Sequence, residues 1–229
     1  MNKNLDKHYA NISKLYLRLK GYVVTNLILH SEKSGNLKTE LDILGIRMPF
    51  HLQENRQVNL VDYLESSKEN IEIIIADVKN TKNIDNVKFN DGLRKDDLSI
   101  KELIDWIGIS NENNDLSSKF KNSLNLHSNE LTGFESFQET SSIGNFLFKF
   151  TFFCPSLEKW NGKGFKYIHG EEIIEFIWEC LNTTKEIKSC SRIYNFKNWN
   201  EYEEYVLFFK SAETKTTKIQ FEEYFRTKK

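Results

Sequence analysis

The sequence predicts an α/β fold, a mixed central sheet flanked by helices, with a helical extension toward the C-terminus. Three observations carry this. Short β-rich runs alternate with segments whose apolar residues recur at helical spacing. The run Ile71 to Val78 is apolar on both faces apart from Glu72 and Asp77, the pattern of a central strand covered by helices on each side. The composition is also globular: of 229 residues 39% are hydrophobic and 28% charged, enough apolar material for a sizeable core and unlike a disordered chain.

The elements follow in order. Ile12, Leu15, Leu19 and the pair Tyr9/Tyr16 mark a first helix over His8 to Lys20, with Gly21 as the residue that ends it. A β-rich run, Tyr22 to Leu29, is followed by a hairpin turn over His30 to Asn36, where Ser, Lys and Gly cluster. A second strand runs from Leu37 to Ile46. The polar stretch Arg47 to Asn70 reads as an insertion with a short helix near Leu60 to Ser66. After the third strand, Ile71 to Val78, a helix spans Ser99 to Ile107, with Ser99 as N-cap and Glu102 in the capping-box position. Residues 108–142, rich in Asn, Ser, Asp and Glu, read as loop with helical pieces. Phe146 to Phe153 is a strongly apolar strand. Residues 171–181 form an amphipathic helix with acids at its positive end, and a last helix starts near Asn198 or Asn200 and runs to about Lys210.

Three strands close in sequence can form a meander, and the fourth needs a helical crossover, which gives the mixed sheet. Residues 1–182 are expected to form one core with inserted loops, and residues 183–229 a helical extension packed on it.

Composition also excludes some classes. The longest apolar runs are strand-length, well short of the ~20 residues that span a bilayer, and Met1 to Lys7 is polar without the apolar block of a signal peptide. Cys154, Cys180 and Cys190 are odd in number and lack CxxC spacing, so cytosolic thiols are expected rather than disulfides or zinc. These features predict a cytoplasmic protein with no membrane contact. The formal net charge of −1 gives no global basic signal, although residues 1–60 are net basic and residues 61–110 net acidic.

The chemistry concentrates on two strands. The second contains Thr39-Glu40-Leu41-Asp42-Ile43-Leu44-Gly45, and alternation puts Glu40 and Asp42 on one face. The third ends Ile75-Ala76-Asp77-Val78-Lys79-Asn80, where Asp77 and Lys79 share a face. Adjacent strands would thus gather three carboxylates and one ammonium at the end of an apolar strand, where unpartnered charge is costly. A divalent cation would supply the partner. Magnesium takes one or two carboxylates, keeps several waters and binds phosphate directly. A nearby lysine then stabilises charge that builds in the transition state.

Glu-Leu-Asp on the second strand, Asp-Val-Lys ending the third, and a lead-in helix closing in Gly21-Tyr22-Val23 together resemble the signature of the PD-(D/E)XK, or restriction-endonuclease-like, nuclease superfamily. The resemblance covers roughly residues 8–80. It implies a magnesium- or manganese-dependent endonuclease that hydrolyses phosphodiester bonds of nucleic acid, with DNA as the first expectation and restriction or phage defence as the setting. It implies that Asp42, Asp77 and the Val78 carbonyl hold metal, that Lys79 is the catalytic lysine, and that Glu40 is the accompanying acid. A glutamate often present on the first helix of that superfamily is missing from the corresponding turn, which holds Ala10 and Asn11. Arg47, with His51, Gln53 and Arg56 beyond Pro49, supplies the candidate substrate contacts. Lys82, Lys88, Arg94 and Lys95 could track a phosphate backbone. The competing expectation is a nuclease-fold adaptor that binds a protein partner without cutting, and a homodimer also stays open.

Overall fold

The computed structural model describes residues 3–30, 37–49, 51, 62–65, 67–84, 87–109, 114–125, 134–160, 167–182 and 196–228. Helix α1 (Lys3–Leu19) leads into strand β1 (Val23–His30), then β2 (Leu37–Arg47) and, after a 3-10 turn at Asp62–Leu64, β3 (Ile71–Val78). Helices α2 (Asp91–Arg94), α3 (Asp97–Ile107) and α4 (Asn114–Leu124) follow. Strands β4 (Glu135–Ser141), β5 (Gly144–Cys154) and the two-residue β6 (Ile168–His169) come next. Helix α5 (Gly170–Leu181), a second 3-10 segment (Phe196–Tyr202), α6 (Glu203–Lys210) and α7 (Lys218–Thr227) complete the chain.

The sheet is mixed and open, in the order β1-β2-β3-β5-β4, with β6 also on β5. The first three strands form the antiparallel meander, and β5 lies parallel to β3 after the helical crossover. Alternation on the central strands sorts side chains to two faces. Ile73 and Ile75 of β3, with Phe146, Phe148, Phe150 and Phe152 of β5, face the layer of α2, α3 and α4. Ile74, Ala76 and Phe153 face α1 and α5 to α7. The result is a three-layer α/β/α arrangement with a core on each side of the sheet.

Helix α1 is buried on more than one side. Leu5, Tyr9, Ile12, Leu15, Tyr16, Leu17 and Leu19 are each at most 3% exposed, because the sheet lies on one flank and the C-terminal helices on the other. Gly21 ends the helix with φ +92°, a left-handed conformation that suits glycine. Helix α5 buries Ile173, Ile174, Phe176, Ile177, Cys180 and Leu181, as its spacing predicts. Phe209 of α6 and Phe221 and Phe225 of α7 join the same cluster as α1, so the C-terminal helices complete a core rather than decorate it. No helix among the described residues is long and apolar enough to cross a membrane.

Several expectations change. Helix α3 is capped by Asp96, whose carboxylate accepts from the Leu98 and Ser99 amides; Ser99 is a buried residue inside the helix. The stretch 108–142 contains α4, whose Leu116, Phe120 and Leu124 stand four apart and are buried, and β4, which lacks an apolar signal of its own. Strand β4 is an edge strand of alternating partial burial, Glu-Ser-Phe-Gln-Glu-Thr-Ser, and gains its order by pairing with β5. The segment near Asn198 is a 3-10 turn, broken at Asn200 by φ 48° and ψ −120°, and the α-helix begins only at Glu203. Helix α7 was not anticipated, although Thr217 and Gln220 form a reciprocal capping box at its start and Phe221/Phe225 stand four apart. The hairpin turn at 31–36 and Cys190 lie outside the described residues, while Cys154 and Cys180 are buried and not joined in a disulfide.

Candidate active site at the ends of β2 and β3

Asp42 owes its direction to an irregularity in β2. Thr25 pairs with Leu44 and Leu27 with Leu41, so Asn26 alone opposes both Asp42 and Ile43. That is a β-bulge, the device that re-aims a side chain at a strand end. Its effect shows in the packing: Leu41 faces the α3 layer, while Ile43, two residues on, faces α1. Asp42 is half-buried, and its Oδ2 accepts a 2.8 Å hydrogen bond from the Val78 amide. The side chain therefore bridges β2 to the last residue of β3, beyond the point where regular pairing of the two strands stops at Ile43 and Ala76.

Asp77 continues the line of Ile73 and Ile75 on the α3 side of the sheet and is 3% exposed. It does not share the α1-facing side that the bulge gives Asp42, and the two approach each other only around the strand end. Its Oδ2 accepts from Lys79 Nζ at 2.7 Å, and the ammonium is itself partly exposed. Burial pushes the Asp77 carboxyl above the usual carboxylate range. The nearby negative charge of Asp42 pushes it the same way, and Lys79 with the Asn90 amide offsets this only in part. Asp42 and Asp77 thus lie within reach of each other's charge at the end of an apolar strand, with Lys79 as the partner of Asp77.

The residues after β3 are held in place. The Lys79 amide donates to the Phe153 carbonyl at 2.7 Å, and the Thr81 amide and carbonyl both bond Ser156 Oγ. This places the site outside the carboxyl ends of the parallel pair β3/β5, where open α/β sheets present their crevices. An open cavity of about 520 Å³ lies there, lined by Asp6, Ala10, Asp42, Val78, Lys79 and Lys88 among others.

Sequence reasoning missed two contributors from α1. Asp6 lines this cavity and accepts from Asn80 Nδ2 at 2.5 Å. Lys14, half-buried, has its pKa lowered by burial, with the charges of Asp42 and Glu40 acting in the opposite direction. Asp6, Ala10 and Lys14 are spaced four apart and form one helical stripe. That spacing was a usable signal, overlooked because the acid sits one turn before the expected one. Glu40 is exposed and lies on the α1 side near Lys14.

Four proposed substrate contacts fare differently. Arg47 is 1% exposed. Its guanidinium donates to Glu72 Oε2 at 2.7 Å and to the carbonyls of Lys20 and Leu64, so it is a core residue and not a substrate contact. His51 stacks on Gly21, where its ring fills the place a side chain would take. Both sit at the C-terminal end of α1, about 15 Å along the helix from Ala10 at 1.5 Å per residue. The reason is strand geometry: five residues of β2 carry the chain roughly 17 Å from Asp42 to Arg47. Nearness in sequence to the site was nearness along a strand leading away from it. Gln53 and Arg56 lie outside the described residues. Lys88, Arg94 and Lys95 all pair with Asp91, which blunts them as a phosphate track. His169 caps α5, its Nδ1 accepting from the Glu172 amide.

The donor set suits a hard cation of modest demand. Among the described residues no group of three or more acid, histidine or cysteine side chains is placed to hold a metal. Magnesium needs only one or two carboxylates and retains its waters; Asp42 and Asp6 line the cavity, and the Asp77 carboxyl is buried behind it, paired with Lys79. No protein-family model, curated protein or solved structure matches this chain.

Proposed function

We propose that this chain is a magnesium- or manganese-dependent phosphodiesterase acting on nucleic acid, in the manner of the PD-(D/E)XK nucleases. One observation carries the reading: Lys79, paired with the buried Asp77, lines one cavity together with Asp42. A mixed sheet whose second and third strands deliver these residues to one end supports it further.

Asp42 and Asp77 would hold the metal. Bound there, it would lower the pKa of a coordinated water and neutralise charge on the diester. The protein's own groups do the rest. The Val78 amide fixes the Asp42 carboxylate, so its direction is set before any ligand arrives. Lys79, anchored by Asp77 and partly open to the cavity, can donate to a non-bridging phosphate oxygen and follow the charge that grows on it. Burial of Asp77 keeps this pair in a low-dielectric setting, where each charge acts strongly. The Asp6–Asn80 contact holds α1 against the segment that carries Lys79.

The test is cleavage of labelled single-stranded and duplex DNA and RNA in magnesium, in manganese and in chelator, with wild type and Lys79→Ala. Metal-dependent cutting lost in the variant supports the reading. A wild type that neither cuts nor binds metal, but forms a defined complex with a protein, would replace it with a nuclease-fold adaptor. The feature favouring that alternative is the closed Asp77–Lys79 pair, which is charge-neutral without any metal.

A further inference from the structure

The cavity at the site does not end at Asn80. A second, larger hollow of about 1070 Å³ shares Tyr9, Asn80 and Thr81 with it. Its walls are the first turns of α1, the segments 80–83 and 156–159, and one face of α7. Four bases line it, Lys82, Lys159, Lys218 and Arg226, against two acids, Glu158 and Glu222. Glu222 is already engaged: Lys218 lies at 2.5 Å, the Tyr9 hydroxyl donates at 2.7 Å and Arg226 stands at 3.6 Å. Lys159 meets Glu171 only at 3.5 Å on the exposed surface, and Lys82 is exposed. In a chain of formal net charge −1, a local excess of base next to the candidate site is a specific feature.

We propose that this groove takes one unpaired polynucleotide strand running from the cleavage site past Lys82 and Lys159 to Arg226 on the C-terminal helix. The inference rests on the phosphodiesterase reading and adds the substrate class to it. The shape argues for a single strand. A duplex is stiff over ~150 base pairs, so it lies across a concave groove walled by two helices and two loops. A single strand bends into such a groove, tracking charge with its phosphates and stacking its bases on aromatics. Trp160, 38% exposed, directly follows Lys159 in the chain. Asn80 and Asn83 line the same path.

The test measures fluorescence anisotropy of a labelled twelve-nucleotide strand, DNA or RNA, and of its duplex, on a Lys79→Ala background that prevents cutting. The single strand is expected to bind at least about tenfold more tightly than the duplex. Adding Lys82→Ala, Lys159→Ala and Arg226→Ala together should weaken single-strand binding at least about tenfold. Three phosphate contacts at ~0.7 each should also lower the slope of log K against log salt by about two. Lys121→Ala, on the opposite layer and paired with Asp97, should change neither quantity, and melting curves report that the variants fold. Equal or tighter duplex binding, or a folded triple variant with undiminished affinity and salt slope, overturns the groove. A protein that binds the strand through these three residues but cuts nothing in either metal keeps the groove and loses the phosphodiesterase. A protein that cuts in metal while the triple variant binds as before keeps the phosphodiesterase and loses the groove.

Discussion

At the scale of single residues, the site separates chemistry from architecture. Lys79 contributes little packing but partners the buried Asp77 carboxyl, so Lys79→Ala should fold with reduced stability and lose at least about a hundredfold in turnover, the scale of one transition-state stabiliser. Asp77→Asn should lose as much, but for another reason, since an amide is a poorer ligand for a hard cation. Raising magnesium should therefore recover part of the activity of Asp77→Asn and none of Lys79→Ala; equal recovery in both would show that the roles are misassigned. Asp42 has a structural duty as well, as acceptor for the Val78 amide. Asp42→Ala leaves that donor unmet and should cost roughly 1–3 kcal/mol. Asp42→Asn keeps an acceptor oxygen and should cost much less, while losing metal affinity just as fully. Urea unfolding in chelator and metal titration separate the two effects.

At the scale of elements, the far end of the sheet holds a buried ion cluster that ties β2, β3 and β5 together. Glu72, 1% exposed, accepts from Arg47 and Lys149 at 2.7 Å each, from the Tyr22 hydroxyl at 2.8 Å and from the Ser67 amide. Burial alone would push its carboxyl up, but the Lys149, Ser67 and Arg47 contacts outweigh burial and hold it below the usual range. A carboxylate depressed in the folded state adds stability above its unfolded pKa, and that stability drains as pH falls through the folded value. Acid unfolding from about pH 5 downward should therefore be steep in the wild type and shallower in Glu72→Gln. At neutral pH Glu72→Gln leaves two cations buried with reduced compensation and should cost on the order of 3–5 kcal/mol. A Glu72→Gln protein with the wild-type midpoint in urea and the wild-type acid profile would mean that the cluster contributes neither.

At the scale of the whole molecule, the C-terminal helices decide whether α1 is a core helix. The Tyr205 hydroxyl meets His8 and Asn11, and the Tyr9 hydroxyl donates to Glu222. Phe221 and Phe225 are fully buried against α1, α5 and α6. Phe221→Ala should lower stability by roughly 3–5 kcal/mol. Truncation after Lys210 should uncover Leu5, Tyr9 and the neighbouring apolar face, giving an aggregating protein rather than a trimmed but active one. Size-exclusion chromatography and calorimetry of the truncated chain check this; a monomer with a cooperative melt near that of the full chain would show that α7 is dispensable. Because α7 also walls the groove beside the site, stability and the proposed strand contact draw on the same ten residues.

What was legible in the sequence is what is written within a turn or a strand. The two-sided apolarity of Ile71 to Val78 marks a central strand because alternation is a local property, and the spacing of Ile173, Ile174 and Ile177 marks the buried face of α5 for the same reason. Adjacency in a meander brings the ends of β2 and β3 together, and Asp42 does reach the Val78 amide. Asp42 nevertheless turns toward α1, while Asp77 continues the line of Ile73 and Ile75 toward α3, so the shared face that alternation predicted is not found. Other features depend on partners far away in the chain. The bulge that turns Asp42 toward α1 exists only because Asn26 on β1 is one residue short of matching it. Strand β4 is polar enough to read as loop and becomes a strand by hydrogen-bonding to β5. Arg47 and His51 look close to the site in the sequence, yet β2 carries them to the opposite end of the sheet, where Glu72 and Gly21 receive them. Asp6 and Lys14 reach the site only because α1 lies across the ends of β2 and β3. Periodicity and spacing are set by short-range backbone geometry, so the sequence determines them by itself. Direction, burial and company are set by which distant elements pack together, and only the tertiary structure decides those.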